Sequence, residues 1–378
     1  MRKIIPLITL FCISLFAFSQ NSADDHYLLI GTYTSGKSEG IYVYKFNSQT
    51  GDFSYVSTAK NVSNPSYLAV SPNDKFVYAA NENRNADNSG GAVTSFSFDK
   101  KTGTLAELNK QPSAGNDPCY VSVDKAGKWI FAGNYSSGTA GVLPIKKDGS
   151  LDPAVCVIQH EGSGVNAERQ EGPHVHSTVL SKDNNYVFVS DLGIDKIMIY
   201  SFNDKTGKLT PAAIPYVEVE PGAGPRHFEF HPNNKFAYLM EEMSGGISVY
   251  AYKGKGQLDL LQNISALPPD FTGAVSSADI HVTADGKFLY ASNRGESNTI
   301  GIFKINQQSG ELALVGHQST LGKTPRNFNF DLSGNFLLVA NQESDNIVIF
   351  KRDKQTGLLT DTGKKIEVGN PVCLKWIR

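Results

Sequence analysis

Tyr67-Leu68-Ala69-Val70-Ser71-Pro72-Asn73-Asp74-Lys75-Phe76-Val77-Tyr78-Ala79-Ala80 reads as a short apolar strand, a Ser-Pro-Asn-Asp turn and a second strand. Its β-branched and aromatic runs, punctuated by Pro, Asn and Asp, are the signature of antiparallel sheet. The second half recurs down the chain: Lys128-Trp129-Ile130-Phe131, Asn185-Tyr186-Val187-Phe188, Lys235-Phe236-Ala237-Tyr238, Lys287-Phe288-Leu289-Tyr290 and Asn335-Phe336-Leu337-Leu338. His26-Tyr27-Leu28-Leu29 makes a seventh. Successive anchors are separated by 49, 53, 57, 50, 52 and 48 residues. A turn glycine followed soon by an apolar residue also occurs seven times, at Gly51, Gly103, Gly149, Gly207, Gly256, Gly310 and Gly357. Two independent markers therefore count seven units.

Within one unit, Tyr67 to Val70, Phe76 to Ala80, Ala92 to Phe98 and Leu105 to Leu108 give four strands, and no stretch sustains a helical period. Seven four-stranded antiparallel units predict an all-β, seven-bladed β-propeller, whose radial packing hides most strand edges. The last segment, Asn370 to Trp376, reads as an innermost strand with nothing after it, whereas the first anchor lacks an innermost strand before it. The C-terminal strand is thus expected to complete the N-terminal blade, making residues 20–378 one domain.

The 378 residues carry 35 Lys+Arg against 37 Asp+Glu, a formal charge of −2, with 40% apolar and 10% aromatic residues. That composition builds a large core, and without a basic block it gives no electrostatic reason to expect nucleic acid or an anionic membrane as partner. Arg2 and Lys3 precede an apolar run from Ile4 to Phe18 that closes on Ala17-Phe18-Ser19. Residues 1–19 therefore read as a secretory signal cleaved before Gln20, the run being short for a retained anchor. Cys12 lies inside that run without a lipoprotein box. The mature chain is expected to be exported, to the periplasm or beyond, free of the membrane and monomeric. Cys119, Cys156 and Cys373 show neither disulfide nor zinc spacing, so buried unpaired thiols are expected.

Three short motifs match on paper. Gly31-Thr32-Tyr33-Thr34-Ser35-Gly36-Lys37-Ser38 fits a P-loop and Gly36-Lys37-Ser38-Glu39-Gly40 fits a nucleophile elbow, but both need a helix to follow. Here an alternating strand, Ile41 to Phe46, comes next. His174-Val175-His176 has metal-pair spacing without a clear third ligand, and no metal is expected.

Aligning the units asks where one departs from its siblings. Nine residues before each anchor stand Ser66, Cys119, His176, Arg226, Ala278 and Arg326, with Val372 in the closing blade. Five of these follow a proline, a residue suited to opening a strand. Since Ser, Ala or Val suffices there, His176, Arg226 and Arg326 are not demanded by architecture. Six residues after the anchor, Thr32, Asn81, Asn134, Asp191, Glu241, Asn293 and Asn341 form a polar row that reads as a structural device. One residue further the row diversifies: Tyr33, Glu82, Tyr135, Leu192, Glu242, Arg294 and Gln342. Antiparallel pairing brings both variable rows to one end of the channel. His and Glu can serve as base or acid, and three arginines suit a carboxylate, a phosphate or a developing oxyanion. The combination points to an anionic or anion-forming, ester-like substrate.

The strings Gly222-Ala223-Gly224-Pro225-Arg226-His227, Gln170-Glu171-Gly172-Pro173-His174-Val175-His176, Ala278-Asp279-Ile280-His281 leading to Asn293-Arg294, and Pro325-Arg326-Asn327-Phe328-Asn329 resemble the seven-bladed propeller lactonases. That family includes propeller-type 6-phosphogluconolactonases and fungal carboxy-muconate lactonizing enzymes. The resemblance covers nearly all of the mature chain. It implies a lactone-hydrolysing enzyme with His176, Glu242, Arg226 and Arg294 as catalytic set and Arg326, His227, Glu82 and His174 as substrate contacts, working without metal or organic cofactor. Either Glu242 or His176 would activate water. Export departs from the cytosolic sugar metabolism of the phosphogluconolactonases and favours an unphosphorylated lactone. A binding platform without chemistry and a lactonizing enzyme are the alternatives. A pure binder would have little use for both His176 and Glu242.

Overall fold

In a computed structural model, which describes residues 24–86 and 90–378, each expected unit is a four-stranded antiparallel sheet, and there are seven. The expected signal, residues 1–19, lies outside the described residues. Blade 2 runs outward through Pro65–Val70, Phe76–Asn81, Ala92–Asp99 and Thr104–Pro112. Blades 3 to 7 repeat it with innermost strands Pro118–Val123, Val175–Leu180, Pro225–Phe230, Ser277–Val282 and Pro325–Phe330. Blade 1 closes the ring: Pro371–Ile377 pairs antiparallel with Asp25–Thr32, as Leu28 against Trp376 and Ile30 against Leu374. Trp376 then packs edge-on to Phe46 of the same sheet at 5.3 Å. Among the described residues there is no α-helix, only a 3-10 turn at Gln342–Ser344. The P-loop and elbow strings are the connection between antiparallel strands Asp25–Thr32 and Gly40–Asn47.

The two markers that count the blades touch each other. The ring one residue after each anchor lies on the turn glycine of the next blade: Tyr27 on Gly103, Phe76 on Gly149, Trp129 on Gly207, and so round to Phe336 on Gly51. These glycines have φ near +70 to +88, and a Cβ on Gly149 would stand 2.1 Å from the Phe76 ring. Glycine is therefore required twice, for its left-handed backbone and for the space. In three blades a tyrosine adds a hydrogen bond to the same glycine's carbonyl, as from Tyr238 Oη to Gly310 O at 3.0 Å. At the other end of the blades the polar row is a staple. Asn81, Asn134, Asn293 and Asn341 donate their side-chain N–H to carbonyls of Ser63, Ser113, Ala266 and Thr320, in the segments that arrive from the preceding blade. Asp191 makes the same link with its Oδ2, 2.6 Å from Nδ1 of His160 in the segment arriving from blade 3, and Glu241 accepts instead from Ser244 and Ser248 of its own blade.

The thiols are unpaired, Cys119 and Cys373 buried as expected. Cys156 departs from the expectation: it is half-buried, because it sits on the outermost strand of blade 3, which no further strand covers.

Candidate active site

The site begins at an irregularity the sequence does not display. Every innermost strand slips its register by one residue at the variable position, for example between Pro225–Glu241 and His227–Met240 in blade 5. A plain strand sends successive side chains to opposite faces, and an extra residue breaks that alternation and re-aims its neighbours. His176, Arg226 and Arg326 are the extra residues of blades 4, 5 and 7. Asn64, Asp117, Gly224, Thr324 and Asn370, each immediately before a strand-opening proline, take positive φ and turn the chain into the strand. Thr324, at φ 58, is β-branched and strained there, two residues from Arg326.

Glu242 is the hub of the channel mouth. Its backbone N–H donates to Gly224 O at 2.8 Å, fixing it beside the start of its own innermost strand. Its Oε2 accepts from Arg226 Nε at 2.8 Å and lies 3.0 Å from Arg294 Nη2, while Oε1 accepts from Arg169 Nη2 at 2.6 Å. Burial alone would raise this carboxyl. The Arg294 and Arg226 charges, with His176 and Arg169, outweigh burial and hold it well below the usual range. Glu242 is therefore ionised and only weakly basic.

The arginines are not equivalent. Arg226 is 1% exposed, and its Nη1 donates to Ala278 O at 2.5 Å and approaches His227 Nε2 at 3.3 Å. Arg294 donates to the carbonyls of Ser276 and Ser277, both at 3.2 Å. Arg326 makes no hydrogen bond among the described residues. It lies over the Tyr33 ring, 5.4 Å from the centroid, and 4.0 Å from Glu82 Oε1. Tyr33 Oη donates to that same Oε1 at 2.8 Å, and Glu82 Oε2 is buried without a partner. Four guanidiniums thus face two carboxylates, leaving a positive surplus.

Two imidazoles complete the mouth, both kept neutral. Burial first, then Arg226, pushes His176 well below its ordinary value. Its Nε2 is 3.9 Å from Glu242 Oε2 and its Nδ1 3.7 Å from Cys119 Sγ. Burial and Arg226 likewise bring His227 down to about 4. His174 does not share a ligand position with His176. It stacks on Tyr135 at 4.4 Å, while His176 meets the same ring edge-on at 5.7 Å.

The profile of the family described as "Lactonase, 7-bladed beta-propeller" matches residues 27–376. The chain belongs to that lactonase family. The reaction class follows, hydrolysis of a lactone by a propeller lactonase. A protein of Bacillus subtilis named 6-phosphogluconolactonase is 42% identical over 349 residues, covering 92% of this lactonase and 97% of that protein. A Formosa agariphila protein of the same name is 37% identical, covering 92% and 98%. The solved structure of the periplasmic gluconolactonase of Pseudomonas aeruginosa superposes with a TM-score of 0.89 at 38% identity, over 94% of this lactonase and 99% of that chain.

Sequence comparison between blades missed three participants. Arg169 of the lactonase comes from the connection between blades 3 and 4, outside the repeat. The signal was the longest anchor interval, 57 residues, which marks the inserted loop that delivers it. Asp279 and His281 lie in the innermost strand of blade 6, whose variable position holds Ala278, so that strand looked inert. Yet Asp279 Oδ1 is 2.7 Å from His227 Nδ1 and its Oδ2 3.1 Å from His281 Nε2.

Proposed function

We propose that the channel mouth hydrolyses a sugar-type lactone to its open hydroxy acid, with Arg226, Arg294, Glu242 and His176 at its centre. The observation that carries this reading is the convergence of four guanidiniums with a surplus of positive charge, two neutral imidazoles and one clamped carboxylate in a mostly buried mouth. As water attacks the lactone carbonyl, negative charge develops on the acyl oxygen. Preorganised guanidinium N–H groups stabilise it, a contribution of about 3–4 kcal/mol per donor in sites of this kind. Glu242 holds Arg226 and Arg294 at the spacing their mutual repulsion would otherwise open. Clamped this way it is a poor proton acceptor, so the proton of water passes to a neutral imidazole. Arg326, with Glu82 and Tyr33, meets the distal part of the substrate, and the stacked His174–Tyr135 pair walls the opposite side.

Export through residues 1–19 accords with the periplasmic Pseudomonas relative and favours glucono-δ-lactone, whereas the Bacillus relative's name favours the 6-phosphate. A pH-indicator assay on mature protein, comparing both lactones and corrected for spontaneous opening, tests the proposal. The expected result is turnover that Arg226→Ala and Glu242→Gln each reduce by at least about 100-fold. Equal rates for parent and variants on every lactone would overturn it.

A further inference from the structure

Behind His227 lies a buried polar chain, Asp279, His281 and Glu229, that the lactonase reading leaves unused. His227 follows Arg226 directly, and the bulge lets both reach the channel. Its ring is edge-on to Tyr67, Tyr120 and His176, which come from three other blades, so it sits across the axis. Its Nδ1 is 2.7 Å from Asp279 Oδ1, and Asp279 is 1% exposed. Asp279 also accepts from Asn327 Nδ2, from the N–H groups of Ile280 at 3.0 Å and Phe328 at 3.3 Å, and from His281. His281 Nδ1 in turn is 2.8 Å from Glu229 Oε2. Held between two carboxylates that outweigh its burial, His281 is raised to about 10 and is a cation at neutral pH. Burial would raise Asp279, but His281 and His227 keep it ionised.

This wiring decides a tautomer. Every oxygen of Asp279 is an acceptor, so His227 must carry its proton on Nδ1 and leave the Nε2 lone pair towards Arg226 and the mouth. A carboxylate on Nδ1 is the arrangement that makes histidine a competent base, because it orients the ring and offsets the imidazolium charge. The Nε2 lone pair faces the mouth and accepts from Arg226 Nη1 at 3.3 Å, a contact that the attacking water takes over. His176 lacks it: the partner at its Nδ1 is a thiol at 3.7 Å, and burial has raised that thiol.

We propose that His227 is the base of the lactonase and that Asp279, itself braced by His281 and Glu229, is its positioning residue. The inference rests on the hydrolytic reading above. Water forms the new C–O bond at the lactone carbonyl while its proton moves to His227 Nε2. The tetrahedral oxyanion, held by guanidiniums, collapses with cleavage of the ring C–O bond. His227 returns the proton to the departing alkoxide, and the product is the hydroxy acid. The groups facing His227 are Arg226 and His281, which with burial disfavour its charged form, Asp279, which favours it, the ring of His176, and the phenols of Tyr67 and Tyr120.

The test is the pH dependence of kcat on glucono-δ-lactone for parent, His227→Gln, Asp279→Asn and His176→Gln, each checked for folding by circular dichroism. The expected result is a loss of about 10²–10⁴-fold in kcat for His227→Gln, with little change in KM and no acid limb. Asp279→Asn should lower kcat at similar KM and move the acid limb to lower pH, since it removes the charge that favours protonation. A purely structural role would not shift that limb. His176→Gln should keep the limb. Folded His227→Gln within about tenfold of the parent, or loss of the limb in His176→Gln with retention in His227→Gln, would overturn the assignment. A parent that opens no lactone defeats the hydrolytic reading itself.

Discussion

Replacing Glu242 by Gln removes the one negative charge among Arg169, Arg226 and Arg294, at 2.6, 2.8 and 3.0 Å. The site is only 5% exposed, so water does little to screen what remains. Deleting one partner of a buried ion pair costs about 3–5 kcal/mol, because the surviving charges stay buried and uncompensated. Unfolding entropy near 2.1 cal/mol/K per residue, over about 350 folded residues, converts this to a fall in Tm of about 4–7 °C at pH 7. The pH dependence carries the sharper test. Glu242 is held below its unfolded value of 4.5, so its contribution is complete above that value and disappears as pH falls through the folded one. Calorimetry of both proteins should therefore show a constant gap between pH 6 and 8 that narrows only in strong acid. A variant as stable as the parent at pH 7, or a gap unchanged down to the acid transition, would refute the account of Glu242 as a clamped counter-charge.

Arg326→Gln should lower Tm less than Glu242→Gln, since among the described residues Arg326 makes no hydrogen bond and pairs only with Glu82 at 4.0 Å, yet raise KM for the lactone more than it lowers kcat; steady-state kinetics with a thermal scan separates the two effects. His281 is raised from 6.5 to about 10, so it adds stability below pH 6.5 that is lost as pH climbs through 10. The parent's Tm should accordingly fall between pH 7 and 10 more steeply than that of His281→Gln. Gly149→Ala combines left-handed backbone strain with a Cβ 2.1 Å from Phe76, and thermal unfolding should show a loss of about 2–4 kcal/mol.

Arg226 was legible because it breaks a repeat: a blade needs only Ser, Ala or Val at the second position of its innermost strand, so charge there has another cause. Glu242 was legible because it lies in the diversified row that antiparallel pairing brings to the same end of the channel. Arg169 was not, since an inserted loop has no siblings to be compared with. Asp279 and His281 were hidden for a different reason. They lie one and three residues past a variable position held by alanine, and only the packing of blade 6 against blade 5 sets Asp279 against His227.

Periodicity of strand and turn is a local property, and with it the sequence alone determined seven blades, four strands each, and a ring closed by its last strand. The glycines and aromatics that counted the blades proved to be the two surfaces on which blades meet. The sequence also determined the face on which charge would gather, because antiparallel pairing carries the start of one strand to the end of the next. Tertiary structure decided the rest. Register slips at the innermost strands aim consecutive residues into the channel. Contacts between neighbouring blades and from an inserted loop choose which carboxylate is clamped by arginines and which is paired with a histidine. Both are carboxylates in the sequence; only their neighbours in space, from other blades, make one a counter-charge and the other a partner for proton transfer.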